Sequence, residues 1–134
     1  MKKIFKNQIA LALAGILAGT SAVAGTLVIN GDTSDPAPKA AFQAVIDGFE
    51  AENPDVDVVY NLFDHEGYKA AIRNFLSADA PDIAFWYAGN RMAPFVEAGL
   101  FAPIDDVWAD QGLYSLMASS APGMTMDGQK WGIP

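Results

Sequence analysis

The sequence predicts an α/β fold in which a mainly parallel sheet is flanked by helices. Two observations carry this prediction. Short β-rich runs alternate three times with stretches in which apolar residues recur at helical spacing. The first run ends in a turn, but no partner strand for a hairpin follows it directly. Strand–helix–strand alternation of this kind produces right-handed crossovers, and these place consecutive strands parallel.

The first strand and helix are predicted within residues 26–52. Residues 26–30, TLVIN, form a continuous β-rich run that is typical of a buried strand. The next segment carries an apolar stripe of the kind that faces a core, with Pro38 near its start and Asn53-Pro54 at its end. The stripe consists of Phe42, Val45, Ile46 and Phe49.

Two further strand–helix pairs follow. The second strand is predicted over residues 56–63 and the third over residues 82–86, with Pro81 at the first position of the third strand. Between them, helical spacing returns in residues 68–76, and a third helix is predicted over about residues 90–98 with Gly99 capping its end.

The pattern is weaker beyond residue 100. A short helical stretch includes Val107 and Trp108, and residues 125–131 indicate a hairpin with Asp127-Gly128 as its turn. Trp108 and Trp131 have no polar cluster beside them, so we interpret both as packing residues.

Residues 1–24 have the order of parts of a secretory signal peptide. Three lysines precede a short apolar run over residues 9–18, and Ala22-Val23-Ala24 precedes the predicted cleavage point between Ala24 and Gly25. The apolar run is well short of the ~20 residues that span a bilayer, which makes a membrane anchor the weaker interpretation. We expect an exported, soluble protein in the periplasm, with secretion into the medium as the alternative.

Charge and cysteine content exclude several classes of function. Residues 25–134 retain five of the eight basic residues and all sixteen acidic ones, a net charge of −11. This disfavours binding to nucleic acid or to anionic membranes, because both require clustered Lys and Arg. The sequence contains no cysteine, so we expect neither a disulfide framework nor a lipid anchor.

Candidate binding residues follow the predicted strands. In an open parallel sheet, ligands bind outside the carboxyl ends of the strands. The loop after the first strand runs from Asp32 to Asp35, and the loop after the second contains Asp64-His65-Glu66. From these loops and the segment after the third strand, we select the ligand-binding candidates Asp35, Asp64, Trp86, Tyr87, Asn90 and Arg91.

These residue types suit a sugar. Aromatic rings stack on the C–H faces of a sugar ring, and carboxylate, amide and guanidinium groups form paired hydrogen bonds with its hydroxyls. Plainer interpretations remain open: Trp86 could be a core residue, Arg91 could pair with a surface acid, and Asp35 could only complement a helix dipole.

Other chemistries have less support. The first loop has a single glycine, Gly31, which is a poor phosphate cradle. Adjacent residues such as Asp64-His65-Glu66 rarely converge on one metal ion. No nucleophile elbow, zinc motif or marked carboxylate pair is present, so we expect neither a cofactor nor an enzyme.

Three motifs resemble successive signatures of extracellular solute-binding proteins of bacterial ABC transporters. They are APDIAFW at residues 80–86, FVEAGLFAPIDD at residues 95–106 and DGQKWGIP at residues 127–134. They are most similar to the carbohydrate-binding branch that includes maltose/maltodextrin-binding protein. The resemblance implies a periplasmic-binding-protein-like fold with two lobes that close on a sugar. It also implies a monomer that delivers the sugar to inner-membrane permease subunits.

The resemblance also assigns roles to residues. It implies that Trp86 and the pair Asn90-Arg91 contact the ligand, although the loop is one residue longer than in maltodextrin-binding proteins, which carry Asp at the position of Asn90. Family members are several hundred residues long. We therefore expect residues 25–134 to be an incomplete N-terminal lobe, a fragment without the second lobe that exposes apolar surface and binds sugar weakly alone. The alternatives are a receptor for ferric iron or a polyamine and an exported glycan-active enzyme.

Overall fold

A computed structural model describes residues 25–134, so the predicted signal peptide, residues 1–24, lies outside the described residues. The strands are β1 (Gly25–Gly31), β2 (Val56–Leu62), β3 (Ile83–Ala84), β4 (Thr125–Met126) and β5 (Gln129–Lys130). The α-helices are α1 (Pro36–Glu52), α2 (His65–Ala78), α3 (Ala93–Glu97), α4 (Asp105–Trp108) and α5 (Gln111–Met117). Two 3-10 helices cover Gly89–Arg91 and Ala118–Met124.

The first three strands form one parallel sheet in the order β2-β1-β3. β1 pairs with β2 over its full length, from Gly25 opposite Val56 to Gly31 opposite Leu62. Because β1 lies between its two partners, the crossovers through α1 and α2 run in opposite directions, and right-handed connections then place these helices on opposite faces. The predicted α/β architecture with a parallel sheet is confirmed.

The third strand is shorter than predicted. Only Ile83–Ala84 form the ladder, although Asp82 N donates to Val28 O at 2.9 Å and Phe85 N donates to Asn30 O at 3.0 Å. The Asp82 carboxylate also accepts from Val28 N at 2.8 Å. The predicted strand end at Trp86 is wrong because the chain leaves the sheet directly after Phe85.

The predicted third helix, residues 90–98, is divided in two. A 3-10 turn covers Gly89–Arg91, and α3 begins only at Ala93, with a proline in its first turn. Proline is tolerated there because the first N–H groups of a helix have no intrahelical partner. Gly99, at φ 68°, ends the segment as expected, and Phe95 is buried.

The two long helices differ in what they bury. Tyr68, Ile72 and Leu76 of α2 form a core cluster with Phe95 of α3. On α1, Ile46 is buried, whereas Val45 and Phe49 are exposed. The apolar stripe of α1 is therefore only partly covered, because the described part of the sheet has three strands and leaves one side of this helix open.

The end of the described chain is a hairpin, as predicted. β4 and β5 pair antiparallel, and Asp127 and Gly128 both have positive φ, 51° and 80°, as a type I′ turn requires. Trp108 is buried and its indole Nε1 donates to Gly132 O at 3.0 Å, which confirms its packing role. Within residues 25–134, no helix has both the length and the apolar character needed to cross a bilayer.

Candidate functional site

Three loops meet at the carboxyl edge of the parallel sheet, and we call them together the strand-end rim. They are residues 32–35 after β1, residues 63–66 after β2 and residues 85–91 after β3. Parallel strands bring these loops to one edge. Side-chain contacts join all three loops, in agreement with the prediction that they lie together at one edge of the sheet.

The imidazole of His65 links the first loop to the third. Its Nδ1 lies 2.6 Å from Oδ2 of Asp32, and its Nε2 lies 3.0 Å from the hydroxyl of Tyr87. Asp32 is the better buried of the two acid–base partners, with its side chain 23% exposed against 48% for His65. His65 therefore connects a carboxylate in the loop after β1 to a phenol in the loop after β3.

Arg91 extends this contact series. Its guanidinium carbon lies 4.3 Å from the centre of the Tyr87 ring, a cation–π contact. Among residues 25–134, no carboxylate lies within ion-pair distance of Arg91. A surface ion pair therefore does not explain this arginine in the described part of the chain, and its hydrogen-bond donors face solvent at the rim.

Trp86 has both a packing surface and a rim surface. Its indole Nε1 donates to Arg91 O at 2.8 Å, which closes the loop between them. Its ring contacts Phe95 and Tyr68, with ring centres 5.3 and 6.5 Å apart. The side chain is only half-buried, so the core interpretation and the ligand interpretation of Trp86 are compatible.

The remaining predicted residues differ in their surroundings. Asp64 caps α2, because its Oδ1 accepts from Gly67 N at 2.9 Å. Asp35 occupies the equivalent position before α1 but makes no capping bond, and it is exposed. Asn90 is exposed in the 3-10 turn. The structure thus brings Trp86 and Tyr87 together with Arg91, but among the described residues no side-chain hydrogen bond or ion pair joins Asp35, Asp64 or Asn90 to that group.

Sequence reasoning missed Asp32 and His65 as candidate site residues. His65 was weighed only as a metal ligand, and Asp32 only as one acid of its loop. A signal was available: Asp32 directly follows β1 and His65 directly follows the cap of α2. The pairing register, Gly31 opposite Leu62, brings the residues after both strands close together.

An open groove of about 970 Å³ borders the rim. Asp32, His65, Trp86 and Tyr87 line one part of it, and mainly apolar side chains line the rest. A volume near 1,000 Å³ lies at the upper end of what small-molecule pockets occupy. Aromatic and polar groups at one end of an apolar groove suit a ligand with both kinds of surface.

The buried phenol of Tyr68 packs beside Trp86 and bonds to the end of β1. Tyr68 is fully buried and its hydroxyl donates to Asn30 O at 3.0 Å. Burial raises the pKa of the Tyr68 phenol well above its ordinary value. This residue therefore stays neutral and serves as a fixed hydrogen-bond donor to the end of β1.

Residues 25–134 contain no cluster of side chains suited to bind a metal ion. No group of three His, Cys, Asp or Glu side chains there is arranged to hold an ion. Asp64 is engaged as a helix cap, and Glu66 pairs with Lys69 at 3.0 Å. The described rim is thus a set of rings and hydrogen-bonding groups.

Comparison with known proteins identifies relatives of this arrangement. The profile of the family described as bacterial extracellular solute-binding protein matches residues 33–123. The bacterial solute receptor AcbH, which has an exclusive preference for β-D-galactopyranose, is 31% identical with a TM-score of 0.67, over 79% of this chain and 27% of AcbH. No curated protein sequence matches the chain.

Two further solved structures are similar. A protein from work on xylan utilisation by the thermophilic bacterium Caldanaerobius polysaccharolyticus is 31% identical with a TM-score of 0.74, over 81% of this chain and 28% of its own. The GacH receptor of Streptomyces glaucescens, solved unliganded and with acarbose, is 28% identical with a TM-score of 0.61, over 82% of this chain and 28% of its own. The chain therefore spans little more than a quarter of each relative.

The profile match covers more than half of the chain, and the parallel sheet with its flanking helices is common to these receptors. The chain belongs to the bacterial extracellular solute-binding protein family and has its periplasmic-binding-protein-like fold.

Proposed function

We propose that residues 25–134 are the N-terminal portion of a two-lobe receptor that captures a neutral sugar in the periplasm and delivers it to an inner-membrane ABC permease. The single observation that carries this proposal is the strand-end rim. There, Trp86 and Tyr87 lie beside the guanidinium of Arg91, which has no ion-pair partner among residues 25–134. The likeness to AcbH and GacH, receptors studied with a galactopyranose and with acarbose, supports a sugar as ligand.

The rim offers both interactions that a sugar needs. The exposed ring surfaces of Trp86 and Tyr87 suit its C–H faces, while Arg91 presents several donors to adjacent hydroxyls. The net charge of −11 for residues 25–134 repels anionic sugars from this surface. We therefore propose a neutral sugar rather than a uronate or a phosphorylated sugar.

The mechanism follows from the open geometry of the groove. One side of the ligand contacts the rim, and a second lobe supplies the other side. Because a ligand then contacts both lobes only when they are closed, its binding shifts the population toward the closed state. The closed receptor is the form that we propose the permease recognises, and the role is binding without catalysis.

The direct test is a titration of the full-length receptor with β-D-galactopyranose, acarbose and xylotriose. Calorimetry and tryptophan fluorescence detect binding during the titration. We expect at least one of these sugars to bind with micromolar or lower Kd and to be recovered unchanged. Binding of spermidine or ferric ion instead of any sugar would contradict the proposal. Hydrolysis of acarbose or xylotriose during the titration would indicate an enzyme.

A matched pair of tryptophan variants locates the sugar. Trp86 and Trp108 both donate an indole N–H to a backbone carbonyl, at 2.8 and 3.0 Å, but only Trp86 lines the groove. Trp86→Phe should weaken sugar binding about fivefold, because the smaller ring stacks over less of the sugar and the indole bond to Arg91 O is lost, together about 1 kcal/mol. Trp108→Phe should change affinity less than twofold; an equal loss in both variants would place the sugar elsewhere.

A further inference from the structure

One series of side-chain contacts crosses all three loops of the strand-end rim. It begins at Asp32, passes through both ring nitrogens of His65 and reaches the Tyr87 hydroxyl, and Arg91 stacks over the Tyr87 ring. Two of these residues, Asp32 and His65, form a pair that lies outside the strand pairing of the sheet. The position of this pair behind Tyr87 indicates a role at the rim.

The carboxylate determines where the histidine proton lies. An ionised carboxylate can only accept, so Nδ1 of His65 must be the donor to Asp32. In the neutral ring, Nε2 then carries a lone pair, and the Tyr87 hydroxyl donates to it at 3.0 Å. With its hydrogen used in this way, the Tyr87 oxygen has only lone pairs left for another partner. It is therefore an acceptor for a ligand hydroxyl.

We propose that Asp32 and His65 are positioning residues that fix the Tyr87 ring and hydroxyl, and through them the Arg91 guanidinium, for sugar binding. The inference rests on the proposed function and adds two residues to its site. Neither residue has to contact the sugar, because both act through Tyr87.

The benefit of such an anchor is conformational. Tyr87 is 37% exposed, and Arg91 is exposed without an ion-pair partner among residues 25–134. Ordering a free side chain on binding lowers affinity, and a side chain that is already held avoids this loss. The anchor holds Tyr87 through its hydroxyl, and the Tyr87 ring holds Arg91 through the 4.3 Å contact.

Protonation of His65 reverses the donor and acceptor roles in its hydrogen bond with the Tyr87 hydroxyl without breaking that bond. A charged imidazole donates from both nitrogens, so Tyr87 would accept from Nε2 and turn its own hydrogen outward. The charged or titratable groups around the ring are Asp32, Tyr87 with Arg91 beyond it, and Glu66, whose Oε1 is 3.9 Å from Nε2 and which pairs with Lys69. The hydrogen bond between Nε2 of His65 and the Tyr87 hydroxyl can thus form with either donor and acceptor assignment.

The first experiment measures the anchor without any sugar. His65 is the only histidine in the 134-residue sequence, and in the full-length receptor its signal is assigned by its loss in His65→Gln. Long-range ¹H–¹⁵N NMR at pH 8 should show the proton on Nδ1 in the wild type, and Asp32→Ala should shift it toward Nε2. A wild-type ring that carries its proton on Nε2 would overturn the inference whatever sugar binds.

The second experiment measures sugar affinity by calorimetry, with the tightest binder among galactopyranose, acarbose and xylotriose. Asp32→Asn and His65→Gln should each weaken binding about fivefold to tenfold at pH 8. The double variant should bind no more weakly than the weaker-binding single variant, because both residues act through Tyr87.

Asp57→Asn provides the matched control, since it makes the same charge change on an exposed residue at the opposite, amino-terminal end of β2. It should alter affinity less than twofold. If Asp32→Asn and His65→Gln behave like this control, the inference is wrong while sugar binding stands. If the wild type binds none of the three sugars, the proposed function fails and this inference falls with it.

Discussion

The two long helices of this chain each carry an apolar stripe but have very different surroundings. Ile72 of α2 is 1% exposed, whereas Val45 of α1 is 64% exposed and Phe49 is 40% exposed. α2 packs against α3 and the aromatic residues of the strand-end rim, while within residues 25–134 α1 packs mainly on β2. Periodicity therefore identifies the apolar side of a helix, but only the neighbouring segments decide how much of that side is buried.

The largest expected effect tests this contrast in the core. Ile72→Ala should destabilise the chain by about 2–5 kcal/mol, because it opens a cavity where no side chain can easily move in. Val45→Ala should cost less than about 0.5 kcal/mol, since its methyl groups already face water. Urea unfolding followed by circular dichroism measures both.

The same pair in the full-length receptor sharpens the contrast. If further segments of the proposed two-lobe receptor cover α1, Val45→Ala should cost more than about 1 kcal/mol there. A cost that remains near zero in the full-length protein would show that this face of α1 stays exposed.

The next effect compares the two helix starts. Asp64 accepts from Gly67 N, whereas Asp35 at the same position before α1 makes no capping bond. Asp64→Ala should therefore destabilise the chain by about 1 kcal/mol, and Asp35→Ala by a few tenths at most. Equal costs in thermal or urea unfolding would contradict the assignment of Asp64 as a cap.

The smallest effect concerns the buried phenol at the end of α2's first turn. Tyr68→Phe should cost about 1 kcal/mol or less at pH 7, because Asn30 O keeps its bond from Phe85 N. Since burial raises the pKa of Tyr68, the neutral phenol stabilises the fold fully below pH ~10, and this contribution is lost as the pH rises further.

The wild type should therefore lose stability more steeply than Tyr68→Phe between pH 9 and pH 11. Urea unfolding at a series of pH values measures this difference. Parallel curves for the two proteins would show that the phenol ionises as freely in the folded chain as in the unfolded one.

Much of this arrangement could be predicted from the sequence, and the rest could not for identifiable reasons. Strand–helix alternation was sufficient to place three loops at one edge of a parallel sheet. The path of residues 85–92 was not predictable, because it depends on the bond from Trp86 Nε1 to Arg91 O and on Gly89 at φ 62°. The pairing of Asp32 with His65 joins residues 33 positions apart, so it could be inferred only from their places at the ends of β1 and β2 and not from a local pattern.

The central claim is that the strand-end rim binds a sugar, and two arginines test it most directly. Arg91 and Arg73 both lie over an aromatic ring, at 4.3 Å from Tyr87 and 5.2 Å from Phe95, but only Arg91 belongs to the rim. In calorimetric titrations of the full-length receptor with its tightest-binding sugar, Arg91→Ala should weaken binding at least tenfold and Arg73→Ala less than twofold. Unchanged affinity in Arg91→Ala would contradict the account.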